Sequence, residues 1–336
     1  MFAVCGAGIC CAVGLTAPSA SAAIRAGVTG FEELPFHDRA GKRIIGCRVP
    51  LQVRPADPVE ALAKLAATSI RECLDGKDAR LPVLVLVLVA GADSVSGVPA
   101  AGDRILGSIS ATLGRALAAE SSVIAGGSAG AMHALERAAS LLETHPSVAI
   151  CGVDSYVTRR GLRALEASGR LKTDSNPDGL IPGEAAACVE LSRLGSGATE
   201  LRIEGFGMGH ESARPPDPVV GLGLADAMRS ALAMAKLGME DVDFRASDLS
   251  GERAGFAEAN YALARVLRVR KERFEMLHPA ECVGAVGAAS GPLILAHLKC
   301  LYANGAAPAR RGFCELAAES GVRGVLVVSG TNRERW

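Results

Sequence analysis

Gly126-Gly127-Ser128-Ala129-Gly130 is the stretch of this sequence best built for chemistry. The run before it, 121–125, has strand length, and Met132, Leu135 and Ala139 after it fall at helical spacing. A G-x-S-x-G turn between a strand and a helix is the context of a nucleophile elbow. The glycines permit a strained turn, the serine oxygen projects from it, and the N–H groups of the helix start face an oxyanion. Taken alone, the motif points to serine-dependent hydrolysis or acyl transfer. That chemistry expects an acid and then a histidine further along the chain, and Asp154 or Asp178 with His210 or His278 satisfy the order.

The elements that must position such a turn are α/β in kind. Residues 81–90 (LPVLVLVLVA) form a continuous Val/Leu run of strand length with no polar face, as in a central strand covered on both sides. Residues 57–74 carry helical spacing at Val59, Leu62, Leu65, Ala66 and Ile70, with Pro58 in the first turn. The patterning predicts further strands at 2–13, 148–153, 186–191, 201–206, 242–246 and 324–328, with 186–191 and 201–206 paired as a hairpin. It predicts helices at 18–26, 103–119, 129–142, 222–237, 254–269 and 284–301. The polar, Gly/Pro-punctuated stretch 159–182 reads as a surface excursion, and the Pro-rich stretch 211–218 as a linker. The halves 1–212 and 213–336 then share an element order, which suggests duplication of the fold without a visible residue repeat.

Composition narrows the function classes. The chain has 336 residues, 36 basic and 36 acidic, so no long-range field draws it to nucleic acid or an anionic membrane. With 49% hydrophobic but only 4% aromatic residues and 39 glycines, it suits packed Ala/Val/Leu/Gly layers rather than an aromatic-rich sandwich. The ten cysteines form no C-x-x-C pair and read as reduced thiols of a cytoplasmic protein, with no metal site expected. The apolar start has no basic residue before Arg25, as a buried first strand would have and a signal peptide would not. Gly6-Ala7-Gly8 lacks the third glycine and acidic partner of a dinucleotide fingerprint, so no cofactor is expected.

The same serine segment supports another reading. Residues 126–138 (GGSAGAMHALERA) resemble the nucleophile turn and helix of the β-ketoacyl synthases, members of the thiolase superfamily, in which the condensing cysteine stands at the position of Ser128. Gly14-Leu15-Thr16-Ala17-Pro18 with 23–30 (AIRAGVTG) resembles the family's first strand exit, helix and "aGxsG" turn. Residues 178–186 (DGLIPGEAA) are similar to the "DGFV-GEGA" hairpin entry, Gly284-Ala285-Val286-Gly287-Ala288 to the "LGAAGA" helix start after the second histidine, and Ser329-Gly330-Thr331-Asn332 to the "GGTN" turn. These five matches run in chain order over nearly the whole sequence. The resemblance implies a five-layered αβαβα fold of two similar halves, with Gly127, Gly330 and Thr331 against the substrate.

The departures bear on function. A condensing synthase needs a thiolate to carry the acyl group and two histidines to promote decarboxylation and stabilise negative charge. Ser128 replaces the cysteine. Counting from Glu258, which resembles the glutamate after the first histidine, that histidine's place falls on Ser247, and the "HGTGT" sequence is absent. Counting back from Gly284 puts the second histidine's place at Glu281, whose carboxylate would oppose an enolate. The resemblance therefore implies the fold without Claisen condensation: an acyl-binding or carrier-binding, chain-length-factor-like or scaffolding partner. It further implies a homodimer, or a heterodimer with a synthase-like subunit, formed through the strand after the nucleophile helix, and acyl carrier protein or acyl-coenzyme A as a partner. The alternative is an acyltransferase or esterase in which His278 serves Ser128 as base, oriented by Glu281 or Asp248. Cys282 reads as a buried small residue, and His133 as a residue packed within the core.

Overall fold

The computed structural model describes residues 1–78, 80–92, 94–96, 102–195, 201–212 and 219–331. In chain order the elements are β1 (Phe2–Cys11), α1 (Ala17–Arg25), β2 (Phe31–His37), β3 (Arg43–Cys47), α2 (Pro58–Cys73), β4 (Val85–Val89), α3 (Gly102–Leu113) and β5 (Ser122–Ala125). Then come α4 (Gly130–Leu141), β6 (Val148–Ser155), α5 (Arg159–Ala167), β7 (Glu184–Arg193), β8 (Leu201–His210), α6 (Leu222–Ala235) and β9 (Phe244–Ser247). The chain continues with α7 (Arg253–Val266), β10 (Glu275–Leu277), α8 (Ala280–Val283), α9 (Ser290–Ala303), β11 (Arg311–Ala317) and β12 (Val322–Gly330).

The Val/Leu run at β4 shows how the layers arise. Side chains alternate across a strand, so Leu84, Leu86 and Leu88 enter one core while Val83, Val85, Val87 and Val89 enter another. The valine face packs under α2 and α3, and the leucine face joins α1, α4 and α9 in the middle of the molecule. β12 repeats the arrangement: Leu326 and Val328 face the middle, while Val325 and Val327 face α6 and α7. Fully burying each such side chain contributes roughly 1.5–3 kcal/mol. The result is helices, sheet, helices, sheet, helices, the five-layered αβαβα order.

The two halves have one topology. The first sheet runs β5-β4-β6-β7-β1 and the second β10-β9-β11-β12-β8, joined where Phe2–Val4 of β1 pair with Leu201–Ile203 of β8. In each, the first strand pairs antiparallel to the last, the last antiparallel to the one before, and the remaining pairs are parallel. The duplication expected from element order is thus present in strand connectivity.

Several expectations are corrected. β7 and β8 form no hairpin, because β1 lies between them. β8 pairs with β12 along its length, and residues 213–218 of the expected linker lie outside the described residues. β6 is flanked by β7 and β4, so the strand after the nucleophile helix has no free edge for a partner. The excursion at 159–182 contains α5, and the helix expected over 284–301 starts only at Ser290. Gly6 and Gly8 of the fingerprint-like start serve packing: a Cβ on Gly8 would stand 2.0 Å from the Ser69 carbonyl oxygen on α2. No helix among the described residues is long and apolar enough to cross a membrane.

Candidate functional site

The two halves meet at a duplicated turn. Residues 127–129 form a short 3₁₀ turn ahead of α4, and residues 287–289 form its counterpart ahead of α9, each opened by a glycine in the left-handed region, Gly127 (φ 58°) and Gly287 (φ 48°). Ser128 Oγ donates to the Gly287 carbonyl oxygen at 3.1 Å, so one turn contacts the other directly. Asp154, at the end of β6, fixes the second turn by accepting from the Ala288 N–H at 3.0 Å. A Cβ on residue 287 would lie 2.2 Å from Asp154 Oδ2, so only glycine fits there. Burial is the main cause that lifts Asp154 to a pKa of about 6.

Ser128 opens on a cavity of about 800 Å³, within the range of small-molecule sites. Its walls come from the C-terminal ends of parallel strands β4, β5 and β9, from the β11–β12 turn and from the chain after α5. Asp248, one residue beyond β9, accepts from the Ala317 N–H at 2.9 Å and stands near the Ser128 hydroxyl, whose hydrogen is on Gly287. Burial raises its pKa to about 6, against the lowering effect of these contacts and of Arg323. Arg323 is itself paired with both oxygens of Glu258. On the opposite wall Arg170 holds Glu252 through two 2.8 Å bonds and also pairs with Glu319.

The residues singled out from sequence are only partly brought together. Ser128 and Gly127 line the cavity. Ser247 is buried at the end of β9 and faces a recess of about 10 Å³ shared with Gly284, room for about one water. His278 and Glu281 pair with each other at 3.3 Å, with the Glu281 side chain largely exposed, and neither is among the described residues lining the cavity. His278 packs its ring edge against Phe256 instead. Gly330 pairs with Leu201 at the far end of β12 from Arg323, seven residues or about 23 Å along the strand. Gly330 and Thr331 therefore do not touch the cavity, and Asn332 lies outside the described residues. His133 is half-exposed beside Glu136, which corrects its expected place in the core. Asp178 lines the cavity, but no histidine joins Asp154 or Asp178 there among the described residues. Asp248, expected only as an orienting acid for His278, lines the cavity without it, and Arg170 and Glu319 were missed as site residues, having no motif around them.

No family model matches the chain. A curated relative, the actinorhodin polyketide β-ketoacyl synthase 2 protein of Streptomyces coelicolor, is 30% identical over 189 residues, covering 52% of this chain and 46% of that protein. The match thus spans about half the length of each. A ketosynthase in complex with its chain length factor, from Xenorhabdus doucetiae, includes a chain that superposes with a TM-score of 0.75 at 12% identity, covering 98% of both chains. A type II acyl-carrier protein in complex with its ketosynthase gives a TM-score of 0.75 at 15% identity over 98% of this chain and 99% of that one. This chain has the thiolase fold of the ketosynthases.

No thiol is among the described residues that line the cavity. Cys282 is buried, with its Sγ 3.8 Å from the Ile24 carbonyl oxygen, and burial raises its pKa, so it is not a thiolate near neutral pH. Burial likewise pushes Cys10 up to about 12 and Cys11 to about 11. Eight of the ten cysteines are buried, Cys5 is exposed and Cys300 is intermediate. Titration of the folded protein with Ellman's reagent is therefore expected to count Cys5 at once and Cys300 slowly, the other eight appearing only on unfolding. Rapid labelling of three or more thiols in the folded state would contradict this packing.

Proposed function

We propose that this chain is a non-condensing, chain-length-factor-like subunit that pairs with a ketosynthase-like partner. The observation that carries the reading is the site around Ser128: among the described residues of the cavity wall there is a serine but no imidazole and no thiol. Ser247 and Glu281, the places read for the two histidines, carry a hydroxyl buried at the end of β9 and a largely exposed carboxylate, and neither is among the described residues lining the cavity. A serine with no base beside it but a carboxylate of raised pKa is a poor nucleophile, and the two guanidinium groups among the described residues of the wall are already paired with Glu258, Glu252 and Glu319.

The partner role rests on β5. It pairs with β4 on one side only, and its residues are half-buried or exposed, leaving a row of unpaired backbone groups at the sheet edge. Pairing of this edge with another chain would continue the sheet across a dimer, and the assembled pair would be the unit that an acyl carrier protein docks on. The competing reading is a Ser128 acyltransferase, favoured by the Ser128–Asp248 contact.

Intact-protein mass spectrometry after incubation with short and medium acyl-coenzyme A and acyl-carrier donors separates the two. No adduct is expected on the wild-type chain, and sedimentation with a ketosynthase subunit is expected to give a heterodimer. An adduct that disappears in Ser128→Ala would overturn the proposal in favour of the acyltransferase.

A further inference from the structure

The outer layer of the second half carries an exposed face that neither the cavity nor the β5 edge uses. α6 and α7 lie side by side there and run in one direction. A Cβ on Gly221 would stand 3.3 Å from the Tyr261 Cβ, and Arg265 Nε donates to the Val220 carbonyl oxygen at 3.1 Å. Further along, Arg229 Nη2 donates to the Arg265 carbonyl oxygen at 3.4 Å. One end of the face is apolar: Leu222 is 51% and Tyr261 53% exposed. Seven residues on from each, about 10 Å along α6, stand the exposed Arg229 and Arg268.

The basic end brings like charges together. Arg268 Nη2 also donates to the Arg265 carbonyl oxygen, at 2.8 Å, so the Arg229 and Arg268 nitrogens stand within about 6 Å of each other. Arg268 turns its remaining bonds to the Ala264 and Leu267 carbonyl oxygens. Among the described residues one carboxylate meets the three guanidinium groups, Asp226 at 2.7 Å from Arg229. The carbonyls ending α7 explain Arg268 as a cap. They do not explain why Arg229 is drawn in beside it from a second helix.

We propose that the α6–α7 face docks an acidic amphipathic helix of a protein partner. Its carboxylates sit on Arg229, Arg265 and Arg268, and an aliphatic side chain two turns away packs between Leu222 and Tyr261. A helix repeats its face at the i, i+7 spacing that the two ends of this surface share. Exposed tyrosine and arginine are residues on which protein interfaces concentrate their energy, and phosphates alone would leave the apolar end uncovered. The face belongs to the second half, whereas β5 is the outermost strand of the first, so the inference goes beyond the pairing proposed above.

Fluorescence anisotropy at low salt tests it on the intact chain, with labelled helical peptides of about 20 residues. The probe peptide carries a leucine and, two turns on, a group of glutamates. One control replaces the glutamates by lysine, a second replaces the leucine by serine, and a labelled DNA duplex supplies negative charge alone. The probe is expected to bind at least tenfold more tightly than each of the three and to weaken as salt is added. Arg229→Ala combined with Arg268→Ala is expected to lower its affinity at least tenfold, and Tyr261→Ser at least threefold, each with the thermal transition intact because the side chains are exposed. Equal binding of the lysine peptide, equal or tighter binding of the serine peptide or the duplex, or undiminished binding by both variants would each overturn the proposal. Pairing with a ketosynthase subunit is read by sedimentation, so failure here would leave that assignment untouched.

Discussion

Replacing Glu315 by glutamine is expected to destabilise the protein by roughly 3–5 kcal/mol, although residue 315 lies outside the cavity. Glu315 on β11 and Arg245 on β9 are both almost fully buried, with Arg245 Nε 2.5 Å and Nη2 2.7 Å from the two carboxylate oxygens. Arg245 also reaches the Ala259 carbonyl oxygen on α7 at 3.4 Å. Glutamine keeps one acceptor oxygen but turns an amide donor toward a guanidinium, leaving an uncompensated charge in the core between β9, β11 and α7. The double variant Arg245→Met with Glu315→Leu removes both charges, and it should recover most of the loss, because a buried pair is worth little against packed apolar groups. Urea unfolding midpoints at constant slope give both values. A glutamine variant within 1 kcal/mol of wild type would mean that water reaches this pair. The pair also lies directly behind the site, since β9 leads into Ser247 and Asp248.

That pair explains part of what the sequence concealed. β11 reads RGFCELA, and a glutamate in its middle argues against a buried strand until Arg245, 70 residues away, is known to meet it. α5 was obscured because RRGLRALEA buries only Gly161, Leu162 and Leu165 within a polar stretch. By contrast β4, β12 and the turn at Gly127 were legible, since an unbroken apolar run and a glycine-flanked serine each require one kind of surrounding.

The remainder of the site was hidden for a different reason. Glu281 stands outside the cavity, paired with His278, which a count of residues along the chain does not reveal. Arg170 meets Glu252 and Glu319 across separations of 82 and 149 residues, so no local pattern announces the cluster. Asp248 is a single acid after a strand, and its burial and contact with Ser128 exist only once the two halves stack. Motifs that act through backbone shape survive in sequence, while clusters assembled by stacking the duplicated halves do not.

Asp248→Asn is expected to make the protein more stable, by about 2–3 kcal/mol at pH 8. Burial is the largest cause holding the Asp248 pKa near 6, above the usual carboxylate value of 3.8. A raised pKa in the folded state means that the unfolded chain loses this proton first as pH rises. The group's contribution is therefore favourable below about pH 4 and is lost as pH climbs through about 6, leaving the folded protein with a buried charge above that. Asparagine keeps an oxygen for the Ala317 N–H and gains N–H donors for Ser128, whose own hydrogen remains on Gly287. In the wild type above pH 6, the single Ser128 hydrogen cannot serve the Gly287 oxygen and the Asp248 carboxylate together. The gain should be full at pH 8, smaller at pH 6 and absent near pH 4, as read from thermal or urea unfolding at the three values. An asparagine variant less stable than wild type at pH 8 would show that Arg323 and Ser128 stabilise the ionised form more than burial opposes it. The expected result instead describes a charge kept at the expense of stability in the wall of a cavity, which is the pattern of a site retained for binding rather than for folding.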